Sequence, residues 1–208
     1  MILNTKLLLA FCLIVFTLEA QENEQLSSAF SEDPETVFFN AEIYYPVGMG
    51  NSVYSEFSFD PGYALDFNWL FKPQFTLGAR FAVHRGYPED ISETGNIQRG
   101  TFHLLGADFG YYMPLDRYWN LHYKSGIGLI SNVYVSPEDK FSEDGGKIWI
   151  SAEIARRFDK TFGLFLKTGI DYDFTNIETS AARDSYFNTN FLFTVGIGAR
   201  FNFQNPGG

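Results

Sequence analysis

The sequence is poor in cysteine, in basic residues and in long apolar runs, and each shortage excludes a class of protein. The single cysteine, Cys12, lies near the amino terminus, so the rest of the chain has no disulfide or thiolate chemistry. Lys and Arg number 15 against 25 Asp and Glu, for a net charge of −10. This balance argues against nucleic-acid binding, which needs a basic face. The longest apolar run, residues 7–18, is too short for a helix that spans a bilayer.

Residues 1–20 have the pattern of a secretory signal peptide. Lys6 precedes the apolar run, and Ala20 is a small residue at the expected cleavage point. The acidic, serine-containing stretch 21–36 has little that could be buried, so we predict a flexible periplasmic tail there. We predict one domain over residues 37–203 and a short tail over residues 204–208.

Aromatic residues and a two-residue periodicity dominate the predicted domain. Phe, Tyr and Trp make up 18% of the sequence. In the stretch 186–203, every second residue from Phe187 to Phe203 is apolar except Thr189. The alternate positions are polar or glycine except Leu192. This pattern predicts a strand with one apolar and one polar face, long enough to cross a membrane at a tilt.

Seven further segments repeat this alternation, so the sequence predicts eight strands. In the segment 101–113, Phe102 and Leu104 fall on the polar face, and we expect a β-bulge near Leu104. The predicted strands are 37–47, 63–71, 75–84, 101–113, 118–135, 147–158, 162–174 and 186–203.

The connections between the predicted strands alternate in length. Short connections lie near residues 72–73, 114–116 and 159–160. Longer, polar connections cover residues 48–62, 85–100, 136–146 and 175–185. This alternation is typical of outer-membrane barrels, and an even number of strands brings both ends of the barrel to the short-turn side.

The alternation alone does not decide which face points inward, because a soluble lipocalin-like carrier has an apolar lumen. The polar face here is rich in glycine, which fits the crowded interior of a small barrel. It also carries four acidic and four basic side chains that can neutralise one another in a closed lumen. We predict that this charge network lines the lumen: Glu42, Asp66, Arg80, Asp108, Lys124, Glu153, Lys167 and Arg200.

Two further expectations concern the two faces of the predicted barrel. On the inner face, Glu42 of the first strand is the expected ion-pair partner of Arg200 on the closing strand. On the outer face, aromatic residues near the short turns are expected to form a girdle at the membrane interface. The predicted girdle is Trp69, Phe71, Trp119, Phe158, Phe162, Phe201 and Phe203, with Tyr45, Tyr63, Tyr172 and Phe187 near the opposite rim.

The eight amphipathic strands, the leader and the closing run 191–203 resemble the small outer-membrane barrels of the OmpA transmembrane-domain and OmpX type. The resemblance covers the chain from about Val37 onward. It implies an all-β fold, an eight-stranded antiparallel up-and-down transmembrane β-barrel with short periplasmic turns and longer extracellular loops. In that family a terminal aromatic residue acts as an assembly signal; here Phe203 is followed by five more residues.

The predicted location is the outer membrane, and the expected partners follow from it. They are outer-membrane lipid, lipopolysaccharide and, during biogenesis, the barrel-assembly machinery. We expect no nucleic acid, no cofactor and no metal.

Few residues of the sequence suggest chemistry. His84 and His103 flank a long loop without a third ligand at suggestive spacing, so we expect exposed rim histidines. His103 and Ser131 share the outward face of adjacent strands, as in some outer-membrane lipases. We expect no Asp or Asn near them on that face, and therefore no catalytic residue. Arg156, also outward, is expected to extend toward lipid headgroups.

The function that these observations favour is a non-enzymatic integral outer-membrane barrel with a structural or surface-interaction role. The lumen charges favour a salt-bridged plug over an ion path, because side chains fill the interior of an eight-stranded barrel. Two alternatives remain open. One is a narrow pore or conduit for small solutes, and the other is an accessory barrel of a secretion or assembly complex.

Overall fold

The computed structural model describes residues 37–89, 96–175 and 184–203, and most of them are in strands. The predicted leader and the two predicted tails lie outside the described residues. No helix in the described part is long and apolar enough to cross a membrane. In chain order the elements are β1 (Val37–Met49), a 3-10 helix (Val53–Glu56), β2 (Phe57–Phe59), β3 (Gly62–Lys72), β4 (Phe75–Pro88), β5 (Arg99–Pro114), β6 (Trp119–Val135), β7 (Lys140–Arg157), β8 (Phe162–Thr175), α1 (Asp184–Asn188) and β9 (Thr189–Phe203).

Eight of these strands form a closed antiparallel barrel, as predicted. Strands from β3 to β9 pair in sequence, and β1 closes the ring between β3 and β9. The pairing of β1 with β9 runs from Val37 opposite Phe203 to Met49 opposite Phe191. The short strand β2 pairs only with the end of β4 and extends the wall above β3.

The two ends of the barrel differ in their connections. Tight connections after β3, β5 and β7 lie at the end that also holds Val37 and Phe203, and we call it the turn end. The connections after β1, β4 and β8 are longer and lie at the other end, which we call the loop end. The predicted alternation is confirmed at these six places. At the seventh connection, β6 and β7 continue their pairing to Val135 opposite Lys140, so most of the predicted loop 136–146 is strand.

The wall is apolar outside and polar inside. Outward side chains such as Leu129 and Leu105 are 73% and 63% exposed, whereas inward Asp66 and His122 are fully buried. This arrangement is the reverse of that in a water-soluble protein, and a continuous apolar outer surface suits a lipid surrounding. The predicted orientation of the two faces is confirmed.

Two local predictions are wrong. The pairing of β5 with β4 and β6 runs without a register shift through Leu104, so the expected bulge is absent and Phe102 and Leu104 simply point inward. Strand β9 begins at Thr189, three residues after the predicted start. Tyr186 and Phe187 lie in α1 and pack against an apolar cluster inside the loop end.

Candidate functional site

The lumen is the candidate site, and its turn end is filled around one arginine. Arg200 on β9 donates from Nη2 to Glu153 Oε1 on β7, from Nη1 to Asn120 Oδ1 (2.8 Å) and from Nε to Asn40 Oδ1 (3.1 Å). Asn40 donates in turn to the other oxygen of Glu153 (3.0 Å). The guanidinium carbon lies 4.0 Å from the centroid of the Phe38 ring. We call these five residues the turn-end cluster; both carboxylate oxygens of Glu153 and all three guanidinium nitrogens of Arg200 have a partner in it.

The expected pairing of Arg200 with Glu42 is wrong. Asn40, not Glu42, lies directly opposite Arg200 in the pairing of β1 with β9, and Glu42 lies opposite Gly198. The Glu42 carboxylate occupies the space beside Gly196, where a Cβ on that residue would overlap the carboxylate. Glu42 therefore turns toward the middle of the lumen.

The middle of the lumen holds a second, larger set of ion pairs, which we call the central network. Arg80 Nη1 lies 2.9 Å from both Glu42 Oε2 and Asp66 Oδ1. Lys167 Nζ contributes contacts of 3.1 Å to Glu42 and 3.4 Å to Asp66. Four strands are tied together across the lumen by these four side chains.

Lys124 extends the central network toward a third carboxylate. Its Nζ lies 3.6 Å from Asp66 Oδ2 and 3.8 Å from Asp108 Oδ2, and all three side chains are buried. Together with Arg200 and Glu153 at the turn end, all eight predicted lumen charges lie inside the barrel. They form two separate groups, the central network and the turn-end pair.

A third ion cluster was missed by the sequence reasoning. Lys147 Nζ lies 3.0 Å from Asp171 and 3.1 Å from Asp173. Lys147 and Asp173 are direct cross-strand neighbours in β7 and β8. The alternation of the sequence could have indicated this cluster, because Lys147, Asp171 and Asp173 all lie on the polar face of their segments. However, Lys147 stood at the predicted start of its strand, next to a predicted loop.

Aromatic side chains close the lumen at the loop end. After β1 the chain turns back, and the 3-10 helix and β2 place Tyr54, Phe57 and Phe59 inside the barrel mouth against Phe102 and Tyr134. The ring centroids of Tyr54 and Phe102 are 5.2 Å apart, and those of Phe57 and Phe59 are 5.9 Å apart. We call these five residues the aromatic plug.

Polar contacts and one glycine fix the aromatic plug in position. Asn132 Nδ2 donates to the Tyr54 hydroxyl (2.9 Å), and the Tyr54 N–H donates to Asn190 Oδ1 (3.3 Å). A Cβ on Gly48 would overlap the carbonyl of Tyr54, so only glycine lets the returning chain approach β1 this closely. Burial raises the pKa of Glu143, beside the plug, to about 7, although a hydrogen bond with Tyr134 acts in the opposite direction.

Little free space remains between the central network and the aromatic plug. A cavity of about 10 Å³ lies beside Tyr44, His84, Asn132 and Lys147, and it can hold at most one water molecule. The Tyr44 hydroxyl lies 2.8 Å from His84 Nδ1 along its wall. Buried side chains that include Leu104, Ile130 and Trp149 pack at this level of the lumen.

The two histidines that flank the second long loop lie on opposite sides of the wall. His84 points into the lumen and is only 6% exposed, so its prediction as an exposed rim residue is wrong. His103 points outward. They cannot share a metal ion, and the described residues contain no group of three or more His, Cys, Asp or Glu that could hold one.

His103 and Ser131 are direct cross-strand partners, and Asp144 on β7 lies directly opposite Ser131. The expectation that no Asp lies near the pair is therefore wrong. In a catalytic triad the histidine stands between the serine and the acid. Here Ser131 stands in the middle, and His103 Nδ1 donates to the Ser131 carbonyl oxygen (3.1 Å). His103, Ser131 and Asp144 are the residue types of a catalytic triad, but in this order the histidine does not connect the serine to the acid and cannot activate it.

The predicted girdle residues lie on the outer wall near the turn end. Phe158, Phe162 and Phe201 form one group, with ring centroids 6.1 Å and 5.8 Å apart. Trp69 and Phe71 form another at 6.1 Å. Phe187, expected near the loop rim on the outside, is instead packed against the inner cluster.

No protein-family model and no curated protein matches this sequence. Solved structures match its fold. Neisserial surface protein A has a TM-score of 0.61 at 9% identity, covering 80% of this chain and 97% of that one. A major outer membrane protein of Thermus thermophilus gives 0.52 at 17% identity, with 80% and 99% covered. OprG of Pseudomonas aeruginosa has a TM-score of 0.51 at 11% identity, and the match covers 83% of this chain and 98% of that one.

Identities this low establish the fold alone. Together with the apolar outer wall, that fold supports the predicted outer-membrane location. The chain has the fold of the small eight-stranded outer-membrane β-barrels, as its resemblance to the OmpA and OmpX type implied.

Proposed function

We propose that this barrel has a closed lumen and works without catalysis, in a structural or surface-interaction role. The observation that carries the proposal is the filling of the lumen by the turn-end cluster, the central network and the aromatic plug. An ion path needs a continuous column of water, and side chains occupy the interior of a barrel of this size. What remains available to partners is the outer wall and the two rims.

The loop end is the rim that we propose to be displayed outside the cell. Its described part exposes acidic side chains, which include Asp60, Glu89, Glu138 and Asp139. Long loops of outer-membrane barrels face outward. The Neisseria barrel that shares this fold is named as a surface protein, which is consistent with such a role here.

Single-channel recording of the purified protein in a planar bilayer tests the closed lumen. We expect no steady conductance. Phe57→Ala with Phe102→Ala removes part of the aromatic plug but leaves the central network, so the lumen should stay closed. Adding Arg80→Ser, Lys167→Ser and Arg200→Ser removes part of the central network and of the turn-end cluster as well, and this combination should open the lumen. A large, steady conductance from the unmodified protein would overturn the proposal in favour of a pore.

Two further measurements test the display of the loop end and the absence of catalysis. Residues 37–203 contain no cysteine, so a single cysteine at Glu138 or at Lys160 can be labelled on intact cells with an impermeant reagent. We expect label at position 138 and none at 160. Phospholipid and lipid A incubated with the pure protein should remain chemically unchanged, and hydrolysis lost in His103→Ala would contradict this.

A further inference from the structure

The turn end carries a concentration of positive charge. Residues 72–74, 114–118 and 156–161 contain five basic side chains, Lys72, Arg117, Arg156, Arg157 and Lys160, against two acidic ones. The sign is opposite at the loop end, where residues 138–144 contain four acidic side chains and one lysine. The two rims therefore present different charges to the two surfaces of the membrane.

The two acidic side chains of the turn end accept hydrogen bonds from backbone groups. Asp116 Oδ1 accepts from the N–H groups of Tyr118 (2.6 Å) and Trp119 (2.8 Å). Asp159 Oδ1 accepts from those of Thr161 and Phe162, both at 2.7 Å. These contacts hold the tight turns in shape and keep both carboxylates directed toward the turn backbone.

Arg156 is positioned at the level where the apolar wall ends. It lies on the outward face of β7 between Trp119 of β6 and Leu164 of β8. Its guanidinium carbon lies 5.5 Å from the ring centroids of both Trp119 and Phe158. Aromatic rings of this kind occupy the interface between hydrocarbon and headgroups, and an arginine among them can reach a phosphate with its planar fork.

We infer that this edge of the turn end, formed by Arg156 and Lys160 beside Trp119 and Phe158, binds the headgroup of an anionic phospholipid. Lys160 stands at the tip of the β7–β8 turn, beyond the ring level, where a phosphate group would lie. The acyl chains of the same lipid would run along the adjacent apolar wall at Ile154 and Leu164. Both are exposed on the outer face. The charge and the apolar surface thus fit the two parts of one molecule.

Native mass spectrometry of the folded barrel in detergent tests this inference. Phosphatidylglycerol and phosphatidylcholine with the same acyl chains are added separately, and the bound fraction of each is measured. We expect a preference for phosphatidylglycerol that falls about fivefold for each charge removed in Arg156→Gln with Lys160→Gln. Arg156→Lys should retain most of the preference. Folding of each variant is checked by the difference in gel migration between unboiled and boiled samples.

The matched control is Arg99→Gln with Lys140→Gln, which removes two exposed positive charges from the loop end. It should leave the preference unchanged. An equal loss in both double variants would show a response to net charge only and would overturn the inference, as would equal binding of the two lipids to the unmodified protein. Displacement of bound phosphatidylglycerol by millimolar inorganic phosphate would also overturn it, because the acyl chains would then contribute nothing.

Discussion

The lumen at the turn end and the lumen at the loop end differ in the kind of side chain that predominates. Around Arg200 the interior holds a buried ion pair and amides, with the Phe38 ring beneath the guanidinium and the Tyr112 ring 6.0 Å from Phe38. At the loop end aromatic rings around Tyr54 predominate, and Asn132 and Asn190 hold Tyr54 by hydrogen bonds. The same eight-stranded wall encloses both.

The surroundings of the wall explain the difference. Beside the turn-end cluster the outward residues are apolar and face lipid, so burying an apolar side chain in the lumen gains little, and polar groups gain from one another. Beside the aromatic plug two outward residues of β7, Ser142 and Asp144, are exposed and polar. Where the wall extends beyond its apolar band it faces water, and there the hydrophobic effect favours rings in the interior as in a soluble protein.

Removing the carboxylate of the turn-end pair should have the largest effect. Glu153→Ala leaves Arg200 buried without its charge partner, which should lower the free energy of unfolding by about 3–5 kcal/mol. Urea unfolding in lipid vesicles, followed by gel migration of unboiled samples, measures it. The double variant Glu153→Met with Arg200→Met should lose less than the single one. A loss under about 1 kcal/mol for Glu153→Ala would contradict the importance of this pair.

A charge on the outer wall should distinguish the lipid-facing part of the barrel from the water-facing part. Leu65, on the outward face of β3, is 45% exposed. We expect Leu65→Arg to cost roughly 2–4 kcal/mol of unfolding free energy near the membrane midplane, and Ser142→Arg about 0–1 kcal/mol. The same unfolding experiment measures both. Similar losses of unfolding free energy for Leu65→Arg and Ser142→Arg would contradict the assignment of Leu65 to the lipid-facing part and Ser142 to the water-facing part.

Loosening the aromatic plug should affect the loop end alone. Asn132→Ala leaves the Tyr54 hydroxyl buried without this donor, at a cost of about 1–3 kcal/mol. Amide hydrogen exchange should accelerate in residues 53–59 and stay unchanged at the turn end of β1 and β9. Adding Tyr54→Phe removes the hydroxyl that Asn132 bonds, so no buried hydroxyl is left without this donor, and protection from exchange should be partly restored. Faster exchange at both ends would show that the two regions are not independent.

The smallest effect concerns the pH dependence that Glu143 contributes to stability. Burial raises its pKa from the usual 4.5 to about 7, so the folded state binds this proton more tightly than the unfolded state. Its contribution to stability is therefore complete below about pH 4.5 and is lost as the pH rises toward 7. Because the group is partly exposed, we expect a loss on the order of 1 kcal/mol. Hydrogen exchange of the loop end across this range measures it, and Glu143→Gln should reduce the dependence.

The wall could be predicted from the sequence, whereas the loop-end interior could not. Alternation identified the eight strands and the inward charges because side chains on a strand change face at each residue. Phe102, Leu104 and Leu192 are apolar residues on the polar face, and two of them were interpreted as a bulge. All three are buried, Phe102 and Leu192 in the loop-end cluster and Leu104 in the neighbouring cluster with Trp149. Apolar residues on the inward face near the long loops were the available signal of a second, soluble-like core.

The sequence by itself determined the number of barrel strands, the face that each of their side chains takes and the closing of β1 on β9. Only the tertiary structure decided that Arg200 pairs with Glu153 and not with Glu42, and that residues 53–59 return into the barrel. The physical reason is the distance along the chain over which each feature is set. Alternation is a property of a single strand, but a contact across the lumen depends on the stagger of all eight strands around the barrel.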